Sequence, residues 1–69
     1  MTNAELKEAL LNENPVIATT NDGTELHCRK VSGITYRKHN GGISVHAEVL
    51  DKNGKCQYNC DPSKIRYEV

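Results

Sequence analysis

The stretch KCQYNC, residues 55–60, holds the residues best suited to metal or nucleophilic chemistry. Cys56 and Cys60, with His27-Cys28 upstream, offer the sulfur and nitrogen ligands that zinc takes. The spacing opposes that use. If residues 55–60 form a strand, both sulfurs share a face, but four steps of extended chain separate their Cα atoms by roughly 13 Å. Two thiolates on one zinc ion must lie within about 4 Å of each other. Cys-x3-Cys would serve in a turn, and the alternation around Tyr58 argues for a strand instead. Cys28, Cys56 and Cys60 are therefore read as core thiols that pack as small hydrophobes opposite Ala47 and Ile17. No metal or cofactor is expected.

A catalytic thiol needs a base to lower its pKa. His27 adjoins Cys28, but neighbours on a strand point to opposite faces. His46 lies between inward-reading Val45 and Ala47, so it too points away from the core. Paired carboxylates, a phosphate loop and a Ser-His-Asp set are all missing from the 69 residues, and the chain is read as non-enzymatic.

A basic segment is the remaining candidate. Net charge is zero, yet residues 1–25 carry five acids against Lys7 alone. Residues 26–47 carry Arg29, Lys30, Arg37 and Lys38, no acid, and all three histidines. The expected register turns Arg29 outward on one half of a long strand. It turns Arg37 outward on the other half, with Thr35 beside it and Ser44 and His46 across a hairpin. Lys38 and His39 ride the hairpin tip. A continuous strip of Arg29, Lys30, Thr35, Arg37, Lys38, His39 and His46 suits an acidic protein surface or phosphate oxygens. The competing reading is a solvated strand face. A sequence pI near 6.8 and tyrosines expected to point inward favour a protein partner over nucleic acid.

The elements that must position these residues are legible. Thr2 and Glu5 form a capping box for a helix over about residues 2–12, with Leu6, Ala9 and Leu10 at helical spacing. Asn14-Pro15 ends it. Leu6, Ala9, Leu10 and Leu11 of the helix are expected to cover one end of the fold together with outward Val16; the alternative use of the helix is a homodimer contact or a groove-seeking anchor.

Asp22-Gly23, Asn40-Gly41 and Asn53-Gly54 signal hairpins of the type I′ kind. Side-chain parity then pairs Ile17 with Cys28, Thr19 with Leu26, Tyr36 with Val45, Ile34 with Ala47, Val49 with Tyr58 and Ala47 with Cys60. Strands are expected at about 15–20, 24–38, 43–51, 55–60 and 65–69, the second bent near Val31-Ser32-Gly33, where glycine inside a strand marks a bulge. Asp61-Pro62-Ser63 reads as a 3-10 turn before the last strand.

This order predicts one mainly β domain over residues 1–69, a five-stranded, strongly bent antiparallel sheet with a short N-terminal helix. The architecture resembles an SH3-like or Sm-like small barrel. The run PVIATTNDGTELHCRKVSGITYRKHNGGISVHAEVLDKNG also resembles small uncharacterised proteins of phages and mobile elements of Gram-positive bacteria. That resemblance implies no activity; an accessory role that modulates a host protein is an expectation placed beside it. The aromatic groove of peptide-binding SH3 domains and the glycine-centred RNA motif of Sm proteins do not occur. The expectation is a protein-protein interaction module in the cytoplasm, with no signal peptide and no membrane partner, and with nucleic-acid binding as the alternative.

Overall fold

The computed structural model describes residues 1–68. The chain runs α1 (Asn3–Asn12), β1 (Val16–Thr19), β2 (Glu25–His39), β3 (Gly42–Asp51), β4 (Gln57–Cys60), a 3-10 turn (Pro62–Lys64) and β5 (Ile65–Tyr67). The last expected strand residue, Val69, lies outside the described residues.

Thr2 caps α1 as its sequence requires. The Glu5 backbone N–H donates to Thr2 Oγ1 at 3.2 Å, and the Thr2 N–H donates to Glu5 Oε1 at 2.9 Å. Leu6 and Ala9, one turn apart, are fully buried, whereas Leu11 is 81% exposed. The helix ends at Glu13, which takes the left-handed conformation (φ 55°, ψ 40°) that glycine usually supplies. At the other end of the chain Asp61 caps the 3-10 turn, accepting from the Ser63 N–H at 2.9 Å.

All five strands lie in one antiparallel sheet of order β4-β3-β2-β1-β5. β4 and β5 are its two edges, and no backbone ladder joins them among the described residues. The pairings Ile34–Ala47, Tyr36–Val45, Lys38–Ile43, Val49–Tyr58 and Ala47–Cys60 are those that parity predicts.

The first hairpin differs by one residue. Val16 pairs with Cys28 and Ala18 with Leu26, so Val16 and Ala18 face the core and Ile17 lies opposite His27. Val16 is therefore fully buried, not outward. The cause is the turn. Gly23 N–H donates to Thr20 O at 3.0 Å, Thr20 N–H donates to Thr24 O at 2.8 Å, and Gly23 has φ +89°. That is a three-residue loop with glycine in the left-handed position, not the two-residue type I′ turn. Nor are the other two turns type I′, since only Gly41 and Gly54 take positive φ there, not Asn40 or Asn53.

β2 is bent by two bulges. Its register against β3 slips between Cys28 and Lys30 and again between Val31 and Gly33, leaving Arg29 and Ser32 as extra residues. The second slip is the one glycine marks; the first has no such marker. The bends wrap β2 around a core of Leu6, Ala9, Val16, Ala18, Cys28, Val31, Ala47, Val49 and Ile65. Each full burial of a Val or Leu side chain is worth about 1.5–3 kcal/mol relative to exposure.

Burial fades toward the β2–β3 turn, and residues 36–43 are all exposed. Tyr36 is 52% exposed and Tyr58 40%, so the expectation that these rings point into a closed interior is wrong. The reason is reach. A ten-residue helix is only about 15 Å long, while the whole fold is 37 Å along its longest axis. α1 can cover only part of the long hairpin.

Candidate interaction surface

The projecting half of the β2–β3 hairpin carries most of the residues singled out above, and it divides them between two faces. On one face Thr35 lies opposite His46, Arg37 opposite Ser44, and His39 opposite Gly42. His39 Nε2 lies 2.8 Å from Ser44 Oγ. Thr35, Arg37, His39 and His46 line one shallow depression with Glu48 and Asn59. Four of the seven expected residues are thus brought together, and an acid stands among them.

Lys38 points to the other face, opposite Ile43. There it shares a depression with Tyr36, Ile43 and the adjoining Arg37, which borders both depressions, and Ile43 is 72% exposed. Val45 and Tyr58, which pair with Tyr36 and Val49, continue this apolar side.

The remaining two expected residues do not join either group. Lys30 Nζ lies 3.1 Å from Glu13 Oε1, which ties it to the end of α1. Arg29 sits on the first bulge, and its Nη1 would lie 3.1 Å from a Cβ placed on Gly54. The predicted continuous strip is therefore cut into three. Two bulges reset the face of the chain between Arg29 and Arg37, and adjacent Arg37 and Lys38 diverge by simple alternation.

Lys38 and Arg37 form no ion pair among the described residues, whereas Lys30, Lys52 and Arg66 are paired with Glu13, Glu68 and Glu25. Near the polar face, the Ser63 backbone N–H and then its hydroxyl hold the Asp61 carboxyl below its ordinary pKa, with His46 and Lys64 adding smaller attractions.

The thiols separate in the same way. Cys28 is buried and Cys60 partly so, and burial raises the pKa of each. Cys56 is exposed, which corrects the expectation of three core thiols. It stands at the mouth of β4, beyond the reach of the core. Among the described residues no three of His, Cys, Asp and Glu gather closely enough to hold a metal ion.

Sequence reasoning missed Tyr36, Ile43 and Tyr58 as surface residues. The available signal was the mismatch in length between the helix and the second strand.

The fold and this surface define a small, mainly β protein with one open antiparallel sheet and a projecting hairpin, apolar and basic on one face and polar on the other. The chain matches no protein-family model, no curated protein and no solved structure. No helix among the described residues is long and apolar enough to cross a membrane.

Proposed function

We propose that this chain is a non-catalytic protein-binding module, a small SH3-like barrel whose β2–β3 hairpin engages an acidic protein surface in the cytoplasm. The carrying observation is the pairing of exposed Ile43 with Lys38, beside a half-exposed Tyr36. An aliphatic side chain held in water next to an unpaired cation suits an interface with an apolar centre and a charged rim. Arg37, Thr35, His39 and His46 on the reverse face widen the contact. The barrel reading is supported by the strand order, the doubly bulged β2 and the 3-10 turn before β5. An accessory role in a phage or mobile element is supported by the resemblance of the hairpin-rich run alone.

One observation favours a second reading. Tyr36 and Tyr58 are exposed near Arg37 and Lys38, and stacking rings beside cations are what single-stranded nucleic acid requires. The expectation that no ring is free to stack is overturned. The protein reading still leads, because an exposed aliphatic beside a cation fits an apolar-centred protein interface and the net charge is zero.

The test compares wild type with a Lys38→Glu/Ile43→Asp variant. The reading expects a protein retained by the wild type and lost by the variant, with the loss reproduced by calorimetry on the purified partner. The same pair is titrated into labelled oligonucleotides at about 50 and about 200 mM salt, where phosphate-driven binding weakens steeply. Salt-sensitive binding that the variant loses would replace the protein reading with the nucleic-acid one.

A further inference from the structure

β4 is an edge strand, with no strand paired on its outer side among the described residues. Asp51 N–H donates to Cys56 O at 3.0 Å, which makes 51/56 a hydrogen-bonded position of the β3–β4 ladder. By antiparallel alternation the pairs Val49–Tyr58 and Ala47–Cys60 are bonded as well. The backbone N–H and C=O groups of Gln57 and Asn59 therefore point away from β3. They find no partner among the described residues. Edge strands are blunted by shortness, a charge, a proline or a bulge. The four-residue strand Gln57-Tyr58-Asn59-Cys60 is short but carries no charge, proline or bulge.

We propose that two copies of this chain pair edge to edge through β4, antiparallel, about a two-fold axis at Tyr58. The register follows from the open groups. Gln57 of each copy lies opposite Asn59 of the other, and the two positions exchange four backbone hydrogen bonds. Tyr58 then meets its own counterpart in the close, non-bonded position, ring against ring. The flanks are complementary in charge. The same register sets Lys55 of each copy opposite Asp61 of the other, at both ends of the contact. Like charges meet nowhere along it. A second copy is the occupant because the strand is complementary to itself. The hairpin tip, with Lys38 and Ile43, stays free, so the protein-binding reading does not depend on this contact.

The register has a chemical signature. It sets Cys56 opposite the second copy's Cys60 on one face, at a non-bonded position where Cα atoms stand about 4.5 Å apart. Disulfides span Cα separations of about 4.4–6.8 Å. Within one chain Cys56 and Cys60 are separated by roughly 13 Å of extended strand and cannot be bridged.

The experiment uses full-length Cys56→Ser and Cys60→Ser variants with oxidised glutathione. Each bridge passes two electrons and two protons to one glutathione disulfide, releasing two glutathione thiols. Each variant alone is expected to stay uncrosslinked, and an equal mixture to give a covalent dimer joined Cys56 to Cys60, read by mass spectrometry. Sedimentation of the reduced wild type is expected to show a concentration-dependent dimer. Asn59→Pro removes an outward N–H and breaks no hydrogen bond to β3, and its dimer is expected to be at least tenfold weaker while circular dichroism stays unchanged. If that variant does not fold, the mixing experiment decides alone. Equal crosslinking within a single variant, a dimer lost on Leu11→Glu but kept in Asn59→Pro, or a monomer at about 1 mM with no crosslink in the mixture each overturns the proposal.

Discussion

Lys38 stands directly opposite Ile43 across the β2–β3 ladder, so a cation with no ion pair among the described residues and a 72% exposed aliphatic share one face. Neither side chain contributes to the core. The Lys38→Glu/Ile43→Asp variant should therefore melt close to the wild type, since surface changes of this kind usually stay within about 0.5 kcal/mol each. Thermal denaturation by circular dichroism checks this. A collapse of stability would show that the hairpin face is structural.

Leu6 is fully buried between α1 and the sheet. Truncation to alanine should cost about 2–5 kcal/mol. A chain of this size has a net stability of about 3–5 kcal/mol. Leu6→Ala should therefore be largely unfolded at 37 °C, whereas Leu11→Ala, on the exposed side of the same helix, should be nearly neutral. Urea titration of both variants measures the contrast.

Glu13 bears a left-handed backbone that L side chains adopt at a cost of about 1–2 kcal/mol. Its ion pair with Lys30 is partly exposed and is worth about 0.2–1 kcal/mol. Glu13→Gly relieves the first and gives up the second. A net gain of about 0.5 kcal/mol is expected, or about 2–4 °C in melting temperature. A loss of stability would mean that the Lys30 pair outweighs the strain.

The hydroxyl of Thr20 and then the backbone N–H of Thr24 hold the Asp22 carboxyl down to about 2. A carboxyl depressed in the folded state stabilises the fold above its unfolded pKa of about 3.9, and that contribution is lost as pH falls toward the folded value. The melting temperature should fall between pH 4 and pH 2. Asp22→Asn keeps an acceptor in the turn but cannot titrate, so it should flatten that slope. An unchanged slope would assign the acid sensitivity to Glu5, Asp51 and Asp61, whose carboxyls are also lowered.

The three thiols should react in order of exposure. One equivalent of Ellman's reagent should label Cys56 rapidly in the native protein. Cys60, only partly buried, should follow more slowly in the folded protein, and Cys28, buried in the core, only on unfolding. Mass spectrometry of the first labelled peptide identifies the site. Early labelling of Cys28 would require the core to open.

The sequence by itself determined the local features. Thr2 and Glu5 cap α1, Asn14-Pro15 closes it, and Gly33 marks a bulge, because each acts within a few residues through backbone geometry or one hydrogen bond. Parity alone predicted the registers of the second and third hairpins, since strand alternation admits few others. The first hairpin slipped by one because Asp22-Gly23 serves equally in a two- or a three-residue loop. Only the tertiary structure decided which faces are covered. It took an unmarked bulge at Arg29 to separate Arg29 and Lys30 from the Thr35, Arg37, His39 and His46 group, and the short reach of α1 to leave Tyr36 and Ile43 in water, whereas Lys38 leaves that group by plain strand alternation. Burial depends on what packs against a strand, and the alternation of the strand itself carries no record of that.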